Sequence, residues 1–223
     1  AERRDKMEII TSRFNKLYKL KELDAGDVGR IKVKPMSFVI RHYEVEHIGH
    51  FVIMQGKAML GLMKMDTVIL TPTKKDAPLF SYDRIKAMGN DTFIIELYDT
   101  LINKDLRNDY DALESVKGQL SSIDDHDLGS HWYDPLKLKA SHAKKGKNCS
   151  DLLDSGYESF FNGYLDKLKD APDCDQTVKI AKTAEYVNGL FDNGGPATDA
   201  YVKAMGRPAA EKIFKTVIFG LEQ

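Results

Sequence analysis

The chain has 223 residues, 42% of them apolar and 30% charged, which is the composition of an ordinary globular protein. Its 33 basic and 34 acidic side chains leave a formal net charge of -1, which argues against a protein built mainly to bind nucleic acid. No apolar run is long enough for a transmembrane helix, and the N-terminus lacks the apolar segment of a signal peptide. Two cysteines, Cys149 and Cys174, are too few for a disulfide framework. We therefore expect one compact cytoplasmic domain over residues 1–223, with no membrane association.

The first half of the chain changes from helical to strand-like periodicity. A first helix is predicted over residues 3–20, where apolar side chains recur at helical spacing, namely Met7, Ile10, Phe14, Leu17 and Leu20. Beyond residue 30, β-branched and aromatic runs separated by turn residues predict strands over residues 31–34, 37–43, 50–54, 62–70, 78–85 and 92–98. The gaps leave no room for crossover helices, so we expect an antiparallel meander of five or six strands.

The second half is helical in pattern. Helices are predicted over residues 105–120, 149–168, 176–191 and 208–221. The polar stretch 121–148 is predicted to be a long loop, and loops of that length are usually functional or mobile. Residues 192–196 predict a helix stop followed by a turn. Strands followed by helices, with one helix ahead, predict an α+β fold: a three-layer α/β/α sandwich with a central antiparallel sheet and a ligand between the sheet and one helical layer.

Two aspartates interrupt predicted strands. Asp66 and Asp83 each lie in the middle of an apolar run. Aspartate is disfavoured in strands, and such local conflicts often mark functional sites. Burial would raise the pKa of either carboxyl, which could then hold a proton near neutral pH. The alternative is that each aspartate faces water or pairs with Lys64 or Arg84.

Histidines and lysines form two further groups. His42, His47 and His50 could bind a metal, although their spacing matches no zinc signature; the alternative is that they are surface or partly buried histidines without a ligand. A basic stretch could dock an acidic protein, bind anionic groups of a ligand or be a solvated loop. Its lysines are Lys137, Lys139, Lys144, Lys145 and Lys147. The chain contains no phosphate-binding, dinucleotide-binding or hydrolase motif.

The order of several short motifs resembles one protein family. Pro78-Leu79-Phe80-Ser81-Tyr82-Asp83 and, upstream, Arg41-His42-Tyr43 are similar to strand motifs of the ferredoxin-dependent bilin reductases, especially those that form phycocyanobilin. Near the C-terminus, Lys203-Ala204-Met205-Gly206 and the stretch from Ile213 to Gly220 are similar to that family's last helices. Residues 100–190 match only in length and helical texture, so the resemblance is to a distant member.

The resemblance implies a fold and an activity. Members of the family are monomeric α/β/α sandwiches that hold a linear tetrapyrrole between the sheet and the C-terminal helices, without flavin or metal. Reduced ferredoxin, with a [2Fe–2S] or [4Fe–4S] cluster, supplies electrons one at a time through bilin radicals. The protein binds the pigment and delivers protons, which agrees with a chain that has no cofactor motif. The implied activity is reduction of biliverdin to a phycobilin such as phycocyanobilin.

The resemblance also assigns roles to residues. Asp83 falls on the central catalytic aspartate, Asp66 on a catalytic histidine and Met54 on a catalytic glutamate, and Asp192 is a candidate second aspartate. Pigment contacts are implied for Met54, Ser81, His50, Asn193, Arg207, Phe214 and Ile218. The family's propionate-binding arginine is missing near residues 160–163, so Arg207 or the lysines of the basic stretch would replace it. The same lysines are expected to dock ferredoxin.

Two other functions remain open from the sequence. Because Met54 and Asp66 replace the family's glutamate and histidine, the chain could bind a tetrapyrrole without reducing it. It could also be an unrelated α+β interaction module whose aspartates are solvated.

Overall fold

The computed structural model describes residues 13–222, which form an antiparallel sheet between two helical layers. The strands are β1 (Leu20–Leu23), β2 (Arg30–Val33), β3 (Met36–Val45), β4 (Gly49–Ala58), β5 (Met63–Pro72), β6 (Leu79–Ala87), β7 (Asn90–Tyr98) and β8 (His142–Gly146). Their order is β1-β3-β4-β5-β6-β7-β8, and β2 also pairs with β3. Strands β3 to β7 form the predicted meander, because the turns between them are short.

The helices cover both faces of this sheet. They are α1 (residues 13–17), α2 (Ser115–Gln119), α3 (Ser150–Asp170), α4 (Gln176–Asp192), α5 (Pro196–Met205) and α6 (Arg207–Ile213). Helix α4 begins after Asp175, whose side chain accepts a hydrogen bond from the Val178 N–H at 2.9 Å. Pro196 and Pro208 occupy the first turns of α5 and α6, where proline is tolerated. One π-helical turn, Phe214–Ile218, continues α6.

Alternating side chains divide the sheet residues between two cores. The first core joins residues such as Phe51, Val68 and Tyr82 to α1, α2 and α3. The second core joins their neighbours, such as Val52 and Ile69, to α4, α5, α6 and the π-helical turn. Because successive strand residues point to opposite faces, each core packs on its own face of the sheet. The predicted three-layer sandwich is confirmed.

The predicted first helix extends too far. Residues 13–17 are helical, but Leu20 begins β1 and pairs with Val45 at the outer edge of β3. Pairing with an open sheet edge here outweighs the helical spacing of the apolar residues. Met7 and Ile10, which also carried the prediction, lie outside the described residues.

The polar stretch 121–148 is not one long loop, because it contains β8. This strand pairs with β7, with His142 opposite Ile95 and Gly146 opposite Asp91. Its sequence, His-Ala-Lys-Lys-Gly, has no β-branched residue, so periodicity gives no strand signal. Lysine is common in edge strands because it discourages pairing with another chain.

A buried ion pair fixes α4 to the sheet. Lys179 is fully buried, and its Nζ lies 3.1 Å from Asp76 Oδ1 and 2.6 Å from the Thr100 carbonyl oxygen. Asp76 also accepts two backbone N–H groups from the loop after β7. Burial lowers the pKa of Lys179, while the Asp76 charge opposes that shift. Within residues 13–222, no helix has the length and apolar character needed to cross a membrane.

Candidate functional site

Asp83 lies near the centre of the sheet, on the face that α4 to α6 cover. Its neighbours in β6, Tyr82 and Arg84, are on the first-core face, so alternation directs Asp83 to the second core. The side chain is half-buried, and Thr67 Oγ1 donates a hydrogen bond to Asp83 Oδ1. Thr67 is directly opposite Asp83 in the β5–β6 register, and Met54 is directly opposite Thr67 in the β4–β5 register. Met54, Thr67 and Asp83 therefore form one row across three strands.

The environment of Asp83 favours its protonated form. Burial raises the pKa of Asp83 to about 6, the Thr67 hydrogen bond opposes the shift, and the Glu96 charge adds to it. A carboxyl with this pKa holds a proton through mildly acidic pH and loses it near neutrality. That behaviour suits a general acid.

Glu96 brings a second carboxyl to the same face. It is opposite Ser81 in the β6–β7 register and is buried. One carboxylate oxygen accepts a hydrogen bond from the Tyr98 hydroxyl, and the other lies 3.2 Å from Lys137 Nζ. The charge of Glu96 is thus held in place beside the carboxyl whose pKa it raises.

Three tyrosines pack beside Glu96. The rings of Tyr98 and Tyr186 stack at 4.5 Å between centroids, and Tyr133 meets Tyr98 edge-on at 5.9 Å. Burial raises the pKa of Tyr98 and Tyr186, and it raises the pKa of Tyr133 to about 12. The hydroxyl groups therefore stay protonated at neutral pH and can donate hydrogen bonds.

Asp66 lies on the opposite face of the sheet from Asp83, so the structure does not bring these two predicted catalytic residues together. Asp66 shares its face with Val68 and Leu70, which belong to the first core, and it is directly opposite Arg84. The residue beside Asp83 is Thr67, one position along the chain. A shift of one residue changes the face of a strand, and the sequence alone does not specify the register.

Met54 and His50 share the second-core face but differ in surroundings. Met54 is buried in the Asp83 row. His50 is four residues along β4, about 13 Å away at strand spacing. His42 Nδ1 lies 3.0 Å from His50 Nε2, and the chain at Gly220 passes over the His50 ring. His50 is thus a buried histidine under the C-terminal segment, away from Asp83.

The histidines do not form a metal site in the described structure. Burial lowers the pKa of His50 to about 3, with the His42 charge adding to the shift, so His50 is neutral at physiological pH. His47 is exposed in the turn before β4. Among residues 13–222, no group of three or more histidine, cysteine or acidic side chains could hold a metal ion.

The remaining predicted pigment contacts occupy two places. Ser81 lies on the Asp83 face of β6, and Phe214 and Ile218 are buried in the second core. Asp192 and Asn193 are exposed at the end of α4. Asp192 forms an ion pair with Arg207, which also binds Glu211. The predicted second aspartate and the predicted propionate ligand are therefore paired with each other.

Comparison with known proteins finds similarity in structure but not in sequence. No protein-family model and no curated protein matches the chain. A crystal structure of selenomethionine-labelled phytochromobilin synthase from tomato in complex with biliverdin superposes with a TM-score of 0.71 at 10% sequence identity. The match covers 98% of this chain and 83% of the tomato chain. The chain has the phytochromobilin synthase fold.

In this phytochromobilin synthase fold, the Asp83 face of the sheet contains several residues that were not predicted from the sequence. Thr67, Glu96 and Tyr98 were not predicted as site residues. Glu96 and Tyr98 alternate with the apolar residues Ile95 and Leu97, which in hindsight indicates that they share a face. Their closeness to Asp83 depends on the β6–β7 register, which the sequence does not specify.

The predicted basic stretch is only partly available as a surface. Lys137 binds Glu96 and Asp134, and Lys139 lies 3.1 Å from a Glu114 oxygen. Lys144 is buried, with its Nζ 3.0 Å from the Ile123 carbonyl oxygen and 2.8 Å from Asp125 Oδ1. The two exposed lysines without an ion pair to another residue within 13–222 are Lys145 and Lys147.

Proposed function

We propose that the chain is a ferredoxin-dependent reductase of an open-chain tetrapyrrole, with biliverdin as the substrate and a phycobilin such as phycocyanobilin as the product. The observation that carries the proposal is the position of Asp83, a half-buried carboxyl that accepts a hydrogen bond from Thr67 on the sheet face that α4 to α6 cover. The solved neighbour with this fold has biliverdin bound. The motifs around Asp83 point to the same family as that fold.

The proposed chemistry divides the work between the protein and its partner. Conversion of biliverdin to phycocyanobilin adds four electrons and four protons in two successive steps, and each step takes two electrons, from two reduced ferredoxins in turn, and two protons. The first electron gives a bilin radical, and protonated Asp83 gives one proton to the pigment and becomes a carboxylate. Water then reprotonates Asp83. The redox chemistry belongs to the pigment and the iron–sulfur protein, while the chain supplies position and protons.

The second proton also comes from Asp83, after water has reprotonated it. Met54 has no exchangeable proton, although the resemblance places it where the family has an acid. Glu96 carries a carboxyl on the same face, held by Tyr98 and Lys137. Thr67, next in the chain to the residue that the resemblance aligns with a catalytic histidine, tunes Asp83 through its hydrogen bond. In the proposal Asp66, on the other face, has no direct contact with the pigment.

A titration followed by turnover tests the proposal. Biliverdin added to the purified chain should give a shifted and sharpened visible spectrum, and reduced ferredoxin should then convert it to a new product. Binding without conversion would favour a non-catalytic tetrapyrrole-binding protein, an alternative that the methionine at position 54 supports. A spectrum identical to that of free biliverdin would exclude both functions.

Two matched aspartate variants locate the chemistry. Asp83→Asn removes the proton but keeps the shape, so pigment binding should persist while turnover falls by about a hundredfold or more, the usual contribution of general acid catalysis. Asp66→Asn makes the same change on the opposite face and should leave turnover within about twofold. Equal losses in the two variants would remove the assigned role of Asp83.

A further inference from the structure

Two hairpin turns project from the same end of the sheet. Ala58 is opposite Met63 across the β4–β5 turn, and Met63 is opposite Ala87, which begins the β6–β7 turn. We call this part of the molecule the hairpin end, defined by residues 57–64 and 86–90. Asp83 is four residues from Ala87, so the hairpin end begins about 13 Å from the candidate acid.

The hairpin end exposes large apolar side chains. Leu60 is fully exposed, and Met88, Leu62 and Met59 are 86%, 73% and 61% exposed. Met59, Leu60 and Met88 have φ angles of 51°, 56° and 51°, in the left-handed region that favours glycine or asparagine. The chain thus holds apolar residues at strained turn positions where their side chains meet water. Clustered exposed apolar side chains commonly mark an interaction site.

A row of like charges lies just behind these turns. Lys57, Lys64 and Lys86 are directly opposite one another on β4, β5 and β6, and all three are exposed. Like charges opposed in this way destabilise a sheet, so the arrangement needs another explanation. Lys86 lies 2.9 Å from Ser150 Oγ, whereas Lys57 and Lys64 form no hydrogen bond or ion pair with any other side chain in the described range, 13–222. We call these three residues the lysine row.

The two available lysines of the basic stretch extend this surface. Gly146 at the end of β8 is opposite Asp91, which follows the β6–β7 turn. Lys145 and Lys147 flank Gly146 and are exposed. Five unneutralised or weakly neutralised lysines therefore gather at one end of a chain whose net charge is only -1.

We propose that the hairpin end docks the electron donor, an acidic iron–sulfur protein whose carboxylates meet the lysine row and whose apolar surface meets Leu60 and Met88. This inference rests on the proposed function, because it names the surface through which that function receives electrons. In the lysine row, Lys86 is three residues along β6 from Asp83, about 10 Å, on the opposite face of the sheet. Complementary charge steers such encounters and makes them weaken with salt, while the apolar tips add affinity at the centre of the contact.

An anionic membrane surface would also attract lysines and exposed leucine. The protein partner is favoured because the lysines extend sideways across β4, β5 and β6 instead of surrounding the turns. Such a row matches a flat acidic protein face better than a lipid surface into which the tips insert. Vesicle binding is therefore an outcome of the test.

The test uses the full chain with a plant-type [2Fe–2S] ferredoxin, measured by calorimetry at low and high salt. The double variant Lys57→Glu/Lys64→Glu should weaken ferredoxin binding by about tenfold or more, which corresponds to about 1.4 kcal/mol. The control Lys167→Glu/Lys169→Glu makes the same charge change on α3, roughly 30 Å from where Ser150 contacts Lys86. It should change the affinity by less than about twofold.

The apolar contribution is tested separately. Leu60→Ser should weaken ferredoxin binding by about three- to tenfold, with a smaller salt dependence than the lysine variants. Val178→Ser replaces an exposed apolar residue on α4 and should have no effect. Both variants should keep the biliverdin spectrum of the unmodified chain, which shows that the protein is folded.

The outcomes separate the surface from the function. Ferredoxin binding lost equally in both charge variants, or in neither, overturns the docking proposal even if biliverdin is still reduced. Ferredoxin binding could be lost only in the lysine-row variant while the unmodified chain does not bind biliverdin. That result supports the docking surface and overturns the proposed function. The chain could instead sediment with phosphatidylserine vesicles, lose that binding in Leu60→Ser and in Lys57→Glu/Lys64→Glu, and fail to bind ferredoxin. That result would overturn the protein partner in favour of a membrane.

Discussion

A carboxyl and a hydroxyl on neighbouring strands carry the proposed chemistry at the residue scale. Asp83 is held by Thr67 in surroundings that raise its pKa to about 6. The hydrogen bond stabilises the carboxylate, so it restrains a shift that burial causes. The same threonine therefore sets both the position of the acid and the pH range in which it holds a proton.

Removing that hydrogen bond should move the pH profile. In Thr67→Val the carboxylate loses its donor, so the pKa of Asp83 should rise by up to about one unit. The proposed reaction uses protonated Asp83, so turnover should fall as pH rises through that pKa, and the variant should retain its rate to higher pH than the unmodified chain. A pH–rate profile with saturating ferredoxin measures the midpoint.

A second threonine provides the control for this change. Thr71 lies on the same strand and face, four residues away, and Thr71→Val should leave the midpoint where it is. A midpoint that moves down in Thr67→Val, or moves equally in both variants, would contradict the assigned hydrogen bond.

The sequence predicted Asp83 as a site residue but could not predict its neighbours. An aspartate inside an apolar strand is visible from the sequence, because it conflicts with strand propensity. Asp66 has the same local pattern, yet it lies on the other face beside Arg84. Only the pairing register distinguishes the two, and that register is set by turn geometry at positions such as Leu60.

At the scale of elements, α4 depends on one buried charge. Lys179 to methionine would leave Asp76 buried without its cation, which typically destabilises a protein by about 3–5 kcal/mol. We expect Lys179→Met to lower the free energy of unfolding by that order in urea denaturation. Lys182→Met, on the same helix but partly exposed, should change it by less than about 0.5 kcal/mol. Similar values for the two variants would show that the buried pair does not anchor α4.

The C-terminal segment is fixed by a close approach to the histidine pair. A Cβ atom at Gly220 would lie 2.2 Å from His50 Cγ. The φ angle of Gly220, +61°, is in the left-handed region. Gly220→Ala should therefore lower stability by roughly 1–3 kcal/mol, through both strain and overlap.

Gly26→Ala is the matched variant in this case. Gly26 has a φ of +54°, close to that of Gly220, but an added Cβ would meet nothing within 4 Å. Its substitution should show the backbone strain alone, roughly 1 kcal/mol. Equal destabilisation in thermal melts of the two variants would contradict the contact between Gly220 and His50.

Most elements could be predicted from periodicity, and the two strands that could not be predicted share a cause. The six predicted strands correspond to β2 to β7, and the long amphipathic helices to α3 and α4. Strands β1 and β8 could not be predicted, because each is short and forms by pairing with an existing sheet edge. Their stability comes from a neighbour distant in sequence instead of from their own side chains.

At the scale of the whole molecule, the order of helices and strands determines the layers of the sandwich. The strand register determines which side chains lie beside Asp83. Strands followed by helices predicted a sandwich, and the structure has one core on each face of the sheet. The Asp83 row faces the core built by the last helices. The hairpin end lies beyond it, where the lysine row and the exposed turns are accessible to a partner. The proposed substrate and the proposed electron donor would thus approach different parts of one molecule.

A crystal structure of the chain with biliverdin tests the central claim most directly. The account predicts pigment between the sheet and α4 to α6, with a polar atom of the tetrapyrrole within hydrogen-bond distance of the Asp83 carboxyl and beside Thr67. Pigment on the opposite face against Asp66, or pigment that leaves Asp83 in contact with bulk water, would contradict it.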